Sequence, residues 1–151
     1  MASEAATDRY LADRIAIQDL VFSYNHALDD RDPQLVASLF AADAAVGDKS
    51  GAEAIMEAFR QTWAKFTVLH HLTSNVVVHI DGDRASGRSK SMVFRGDAAV
   101  ATAESPTYVS YEDEFIRTPD GWRFLSRNFT AHPATPPRAE ATPVGGPGKS
   151  I

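Results

Sequence analysis

The side chains in this sequence that could carry acid–base chemistry are Tyr24, Asp29 and the adjacent pair His70-His71. Tyr24 falls inside an apolar helical stripe with Ile17, Val21 and Leu28, the spacing of one buried helix face. Asp29 follows Leu28 at the end of that stripe, where the negative pole of a helix disfavours a carboxylate without a partner. Spacing alone favours a solvated Asp29 within the run Asp29-Asp30-Arg31-Asp32. His70-His71 opens a predicted strand, and successive strand residues point to opposite faces, so only one of the two looks inward. Parity groups His70 with Leu72, Ser74, Val76 and Val78, and His71 with Thr73, Asn75, Val77 and His79. The first set is the more apolar and would turn His70 inward, whereas a bulge in the strand would reverse the choice.

Other chemistries drop out quickly. There is no cysteine, which excludes disulfides, thiolate metal sites and cysteine nucleophiles. Adjacent strand histidines cannot share one ion, and no His-x-His or carboxylate cluster accompanies them, so no metal is expected. The glycines are scattered at turns rather than gathered into a phosphate loop, and there is no G-x-S-x-G elbow. The formal net charge of −5 argues against a nucleic-acid or anionic-membrane partner. His79 and His132 read as surface or strand-end residues. Trp63, Phe66, Met92, Phe94, Tyr108 and Tyr111 read as core, and a hollow pocket would draw its lining from them.

These residues must be positioned by a chain of 151 residues, 44% hydrophobic and 23% charged, which suits one ordinary globular domain. No apolar run reaches the length of a membrane span. Met1 to Asp13 lacks a basic segment followed by an apolar one, so the expected location is cytoplasmic. The apolar stripe predicts a helix over roughly Asp8 to Asp29. Asp32-Pro33 starts a second, with Asp as N-cap and Pro at N1, carrying Leu35, Val36, Leu39 and Phe40 inward. Ser50-Gly51-Ala52-Glu53 matches a capping box and opens a third helix with Ile55, Met56, Phe59 and Trp63 buried.

After Phe66 the apolar period falls to two. A strand runs to the Asp81-Gly82 hairpin turn, and a second strand through Arg95 carries small residues, Ser89 among them, on one parity. Gly96-Asp97 forms another turn. A long strand follows to about Thr118, bent near Pro106, then the turn Thr118-Pro119-Asp120-Gly121 and a last strand from Trp122 to about Ala131. Helices followed by an antiparallel meander make an α+β order in which a curved sheet wraps the helices. The domain is expected to span 1–132, with 133–151 a Pro/Gly-rich tail.

The order of motifs resembles the SnoaL-like branch of the nuclear transport factor 2-like superfamily. The matching pieces are Arg14-Ile15-Ala16-Ile17-Gln18-Asp19-Leu20, Tyr24 followed by Ala27-Leu28-Asp29, Leu39-Phe40-Ala41-Ala42-Asp43-Ala44, and His71-Leu72-Thr73-Ser74-Asn75. Asp81-Gly82-Asp83-Arg84-Ala85, Tyr111-Glu112-Asp113-Glu114-Phe115 and Asp120-Gly121-Trp122-Arg123-Phe124 complete the series. The resemblance implies an α+β fold with a cone-shaped antiparallel (mixed) sheet around three N-terminal helices, enclosing an apolar pocket.

Within the superfamily the motifs are most similar to those of the scytalone dehydratase, bile-acid 7α-dehydratase and hexachlorocyclohexane dehydrochlorinase group. There a helix-end Asp and a strand His, four residues before an Asn or Gly, form a dyad; the matching positions are Asp29 and His71, with Tyr24 as the helix tyrosine. The resemblance thus selects His71 over His70. It implies a cofactor-independent lyase acting on a small apolar cyclic or aromatic substrate, with double-bond isomerase or polyketide-type cyclase, and a non-catalytic binding or assembly subunit, as alternatives. Trp63, Phe66, Ser89, Tyr111 and Arg127 are the expected substrate-binding residues. Ser89 stands where scytalone dehydratase presents a second histidine, a departure that puts a double-His dehydration in doubt. A homo-oligomer is expected, a trimer before a dimer.

Overall fold

The computed structural model describes residues 2–97 and 106–132. The chain runs α1 (Ala2–Asp29), α2 (Pro33–Leu39), β1 (Phe40–Val46), β2 (Lys49–Ser50), α3 (Ala52–Lys65), β3 (Val68–Asp81), β4 (Arg84–Gly96), β5 (Thr107–Thr118) and β6 (Gly121–His132). The strands form one six-stranded sheet in the order β2-β1-β6-β5-β4-β3. Pairing is antiparallel except between β1 and β6, which are parallel, so the sheet is mixed. No helix among the described residues is long and apolar enough to cross a membrane.

The core lies between α1 and the inner face of the sheet. Ile17, Leu20, Val21, Tyr24, Ala27 and Leu28 of α1 are buried against Phe115 of β5 and Trp122 and Phe124 of β6. Burying each such large side chain is worth about 1.5–3 kcal/mol, which ties a long helix to these two strands. A polar tie reinforces it in the first half of α1, at Asp13. Arg117 donates to both oxygens of Asp13 at 2.6 Å, Trp122 Nε1 donates to the same carboxylate at 3.1 Å, and the guanidinium stacks 4.4 Å over the Trp122 ring.

Several expectations are corrected. The first helix begins at Ala2 rather than near Asp8. Phe40 does not close α2 but opens β1, a strand that was not foreseen. Its sequence, FAADAAV, is alanine-rich and lacks a β-branched residue before Val46, so propensity points away from a strand and pairing with β6 overrides it. The capping box does not form. Ser50 pairs with Ala45 in the sheet, the N-cap is Gly51 at φ +81°, and no side chain caps α3. β5 begins just after Pro106, and the last strand reaches His132. The segment expected between Asp97 and Pro106 and the tail at 133–151 lie outside the described residues.

Candidate active site

Asp29 is the last residue of α1, and its position follows from how that helix ends. Arg31 adopts φ +58°, Asp32 N–H donates to the Ala27 carbonyl at 2.9 Å, and Arg31 N–H donates to the Leu28 carbonyl at 3.3 Å. This is a Schellman closure with arginine where glycine is usual. The Arg31 guanidinium reaches the carbonyls of Trp63 (2.8 Å) and Phe66 (2.5 Å) at the end of α3. Trp63 returns the favour, its Nε1 donating to the Leu28 carbonyl at 2.9 Å. Free carbonyls at both helix ends are thereby satisfied, and Asp29 is held facing β3.

His71 meets it there because β3 changes face midway. Asn75 has φ +54°, and the register with β4 slips between Ser74 and Val77. Before this bulge the inward residues are Leu69, His71 and Thr73; after it they are Val76, Val78 and Ile80. Both readings of the parity are thus half right, and the bulge puts His71 inside and leaves His70 exposed. Asn and Gly are the residues that tolerate this left-handed conformation, which gives a physical reason for an Asn or Gly four residues after the motif's His.

The two side chains bind each other twice. His71 Nδ1 lies 2.6 Å from Asp29 Oδ1, and the His71 backbone N–H donates to Asp29 Oδ2 at 2.8 Å. Against a carboxylate, Nδ1 must carry the hydrogen, which leaves Nε2 as an acceptor with no partner among the described residues. The two donors also offset the unfavourable placement of a carboxylate at a helix C-terminus. The His71 side chain is only 5% exposed. It nevertheless lines two cavities, an inner one of about 210 Å³ and a wider one of about 610 Å³ that also touches Asp29, Asn25 and Thr73.

The inner cavity brings Tyr24 and Tyr111 together with His71, over Leu28, Phe59 and Leu69. The Tyr24 ring stands edge-on to both the imidazole, 6.5 Å between centroids, and Tyr111, 6.4 Å. Burial raises the proton affinity of both phenols above the ordinary tyrosine range, and the Arg127 charge opposes that rise in each. Arg127 itself is wholly buried. Its guanidinium lies over the rings of Tyr24 (4.1 Å), Tyr111 (3.9 Å) and Phe124 (4.8 Å), with its Nε 3.7 Å from Asp113 Oδ1. Burial pushes the Asp113 carboxyl up to about 6 although Arg127 pulls the other way.

Of the residues expected to meet a substrate, Tyr111 lines the inner cavity. Arg127 stands behind the two tyrosines rather than in the lining. Ser89 is buried on the inner face beside Tyr111 with no hydrogen-bond partner among the described residues; the β4 neighbour of His71 is Val93. Trp63 and Phe66 line neither cavity. Trp63 instead braces the end of α1, and the Phe66 ring lies between Lys65 (5.2 Å) and Arg95 (5.7 Å). Arg31, Asn75 and Arg95 were not singled out from the sequence. Only Arg95 carried a signal there, since it shares the parity of Ser89. Among the described residues no group of three or more His, Asp or Glu side chains is arranged to hold a metal ion.

Comparisons with known proteins agree with this architecture. The SnoaL-like domain family matches residues 9–128. An uncharacterized protein of Mycobacterium tuberculosis is 35% identical over 126 residues, covering 78% of this chain and 84% of the relative. An NTF2-like protein with a cystatin-like fold from Novosphingobium aromaticivorans superposes with a TM-score of 0.75 at 27% identity, over 90% of this chain and 92% of its own. LinA superposes equally well, with a TM-score of 0.75 over 87% and 93% of the two chains; at 23% identity the likeness is one of fold. Scytalone dehydratase-like proteins are also among the structural neighbours. The three helices and the mixed six-stranded sheet share the cystatin-like fold of these neighbours, and the protein belongs to the SnoaL-like domain family of the NTF2-like superfamily.

Proposed function

We propose that the protein is a cofactor-independent lyase of the dehydratase, dehydrohalogenase or retro-aldol type, acting on a small, largely apolar cyclic or aromatic molecule. The observation that carries this reading is the 2.6 Å contact of Asp29 with His71 Nδ1 at the wall of a cavity. In an elimination, His71 Nε2 takes the proton from the carbon beside the one that bears the leaving group. The electrons of that C–H bond become the new double bond, and the leaving group departs with its bonding pair. Asp29 keeps the ring in the tautomer that can accept this proton, then stabilises the imidazolium.

Tyr24 is the proton donor to a leaving oxygen or a developing oxyanion. Its raised proton affinity keeps it a phenol, suited to donate rather than to accept. Tyr111 completes the wall, and Arg127 acts through the two tyrosine rings it lies over. The family supports the class of reaction, since it includes dehydratases and isomerase-like enzymes, and LinA is a dehydrochlorinase. The exposed apolar sheet residues Leu72, Val77, Tyr108 and Phe129 suit a homo-oligomeric contact, with a trimer as the favoured state.

The test is turnover of a panel of cyclic β-hydroxy and β-halo ketones by the wild type and by His71→Ala. Loss of the base should lower the rate about 10²–10⁴-fold while the variant stays folded. A His71→Ala protein that turns over the same substrate at the wild-type rate would overturn the proposal.

A further inference from the structure

The inner cavity holds a cation, Arg95, that pairs with no carboxylate among the described residues. Arg95 is on β4 opposite Leu69, on the same inward parity as Ser91 and Val93, and it lines the cavity together with Tyr24, His71 and Tyr111. Its one contact of note is the Phe66 ring, 5.7 Å from the guanidinium carbon. It makes no hydrogen bond or ion pair with a carboxylate among the described residues. The other arginines and lysines near carboxylates are answered. Lys49, at the same cavity, pairs with Asp48 at 2.8 Å, Arg60 with Glu53 and Glu57, and Arg117 with Asp13. Asp29 binds His71 through both of its oxygens and makes no ion pair with Arg95.

A half-buried guanidinium without a counter-ion among the described residues, at the edge of a partly apolar cavity, is a standing demand for an anion. Its planar fork matches a carboxylate with two parallel hydrogen bonds. The cavity, at about 210 Å³, is smaller than the roughly 300–1,000 Å³ of sites for drug-sized ligands. Leu28, Phe59, Leu69 and the two tyrosine rings form an apolar part of its wall that suits a single ring.

We infer that the inner cavity takes a small cyclic carboxylate, with Arg95 binding the carboxylate and the apolar wall directing the ring towards His71 Nε2. This rests on the reading of His71 as a base but is separable from it, because Arg95 is a binding residue and the anionic handle is remote from the reacting carbon. The Arg95 charge also lies close enough to Tyr111 to favour its ionised form, a sign that it faces into the cavity.

Benzoate and its neutral analogue benzamide test this by calorimetric titration of the full chain at neutral pH. Wild type should bind benzoate about 10–100-fold more tightly than benzamide, the range for charge-assisted hydrogen bonds. Arg95→Met should abolish that preference without weakening benzamide, and Arg95→Lys should restore part of it. His71→Ala should keep the preference intact. Equal affinity for the two probes, no measurable benzoate binding, or a preference that survives in Arg95→Met would each overturn the inference. A benzoate preference that follows Arg95, in a protein whose turnover ignores His71, would sustain the subsite and reject the lyase reading. Turnover that requires His71 but is indifferent to Arg95→Met and to substrate charge would do the reverse.

Discussion

Asp13 and Asp29 are both carboxylates of α1 that receive donors from the sheet, yet they are built for opposite ends. Asp13 is saturated by a guanidinium that never gives up its charge, with an indole as third donor. Its environment lowers the carboxyl to about 2, chiefly through the Arg117 hydrogen bonds. Every group in that cluster is spent on holding the helix to β5 and β6. Asp29 receives a ring nitrogen and a backbone N–H, and the ring's second nitrogen, at a cavity wall, has no partner among the described residues. One tie consumes its hydrogen-bonding capacity within the fold; the other passes it through an imidazole to whatever enters the cavity.

The sharpest way to break this comparison is Asp29→Asn. An amide can still accept from the His71 backbone N–H, so the fold should lose less than about 1 kcal/mol. Its NH₂ group would face Nδ1, however, which must then accept, moving the ring hydrogen to Nε2 and disabling the base. Activity should fall about 10³–10⁴-fold, read as kcat/KM on any substrate the wild type turns over.

Asp13→Asn should behave conversely, costing about 2–3 kcal/mol of stability in urea denaturation with kcat/KM unchanged. Because folding depresses this carboxyl, its contribution is complete above the ordinary value of 3.8 and is lost as the pH falls to about 2. The stability gap between wild type and Asp13→Asn should therefore close over that interval.

Smaller effects should separate braces from binding groups. Trp63→Phe deletes the 2.9 Å bond to the Leu28 carbonyl and should cost about 1 kcal/mol, lowering kcat through looser placement of Asp29 more than it raises KM. Asn75→Ala should cost about 1 kcal/mol because alanine resists φ +54°, whereas Asn75→Gly should be close to neutral in thermal unfolding.

The same contrast explains which parts of the molecule could be read from sequence. α1, α3 and the hairpin strands announce themselves because their buried faces repeat at the helical or strand period over many residues. β1 does not, since its alanines satisfy either period and only the parallel pairing with β6 decides. The inward choice of His71 was closed to parity because one bulged residue, Asn75, reverses the faces of β3; the resemblance supplied the choice and the bulge explains it. Trp63 and Phe66 show the limit of residue type. An aromatic side chain looks the same in a sequence whether it lines a cavity or caps a helix, and Trp63 turned out to cap. Arg31 gave no signal, because its role depends on a left-handed helix end that sequence rules reserve for glycine.

The measurement that bears most directly on the central claim is the tautomer of His71 in the free protein, read from ¹⁵N chemical shifts of its ring at neutral pH. The hydrogen bond to Asp29 requires a protonated, pyrrole-like Nδ1 and a bare, pyridine-like Nε2 in the neutral ring. A neutral ring with its hydrogen on Nε2 would mean that Asp29 does not hold the imidazole as a base, and the lyase reading would lose its foundation.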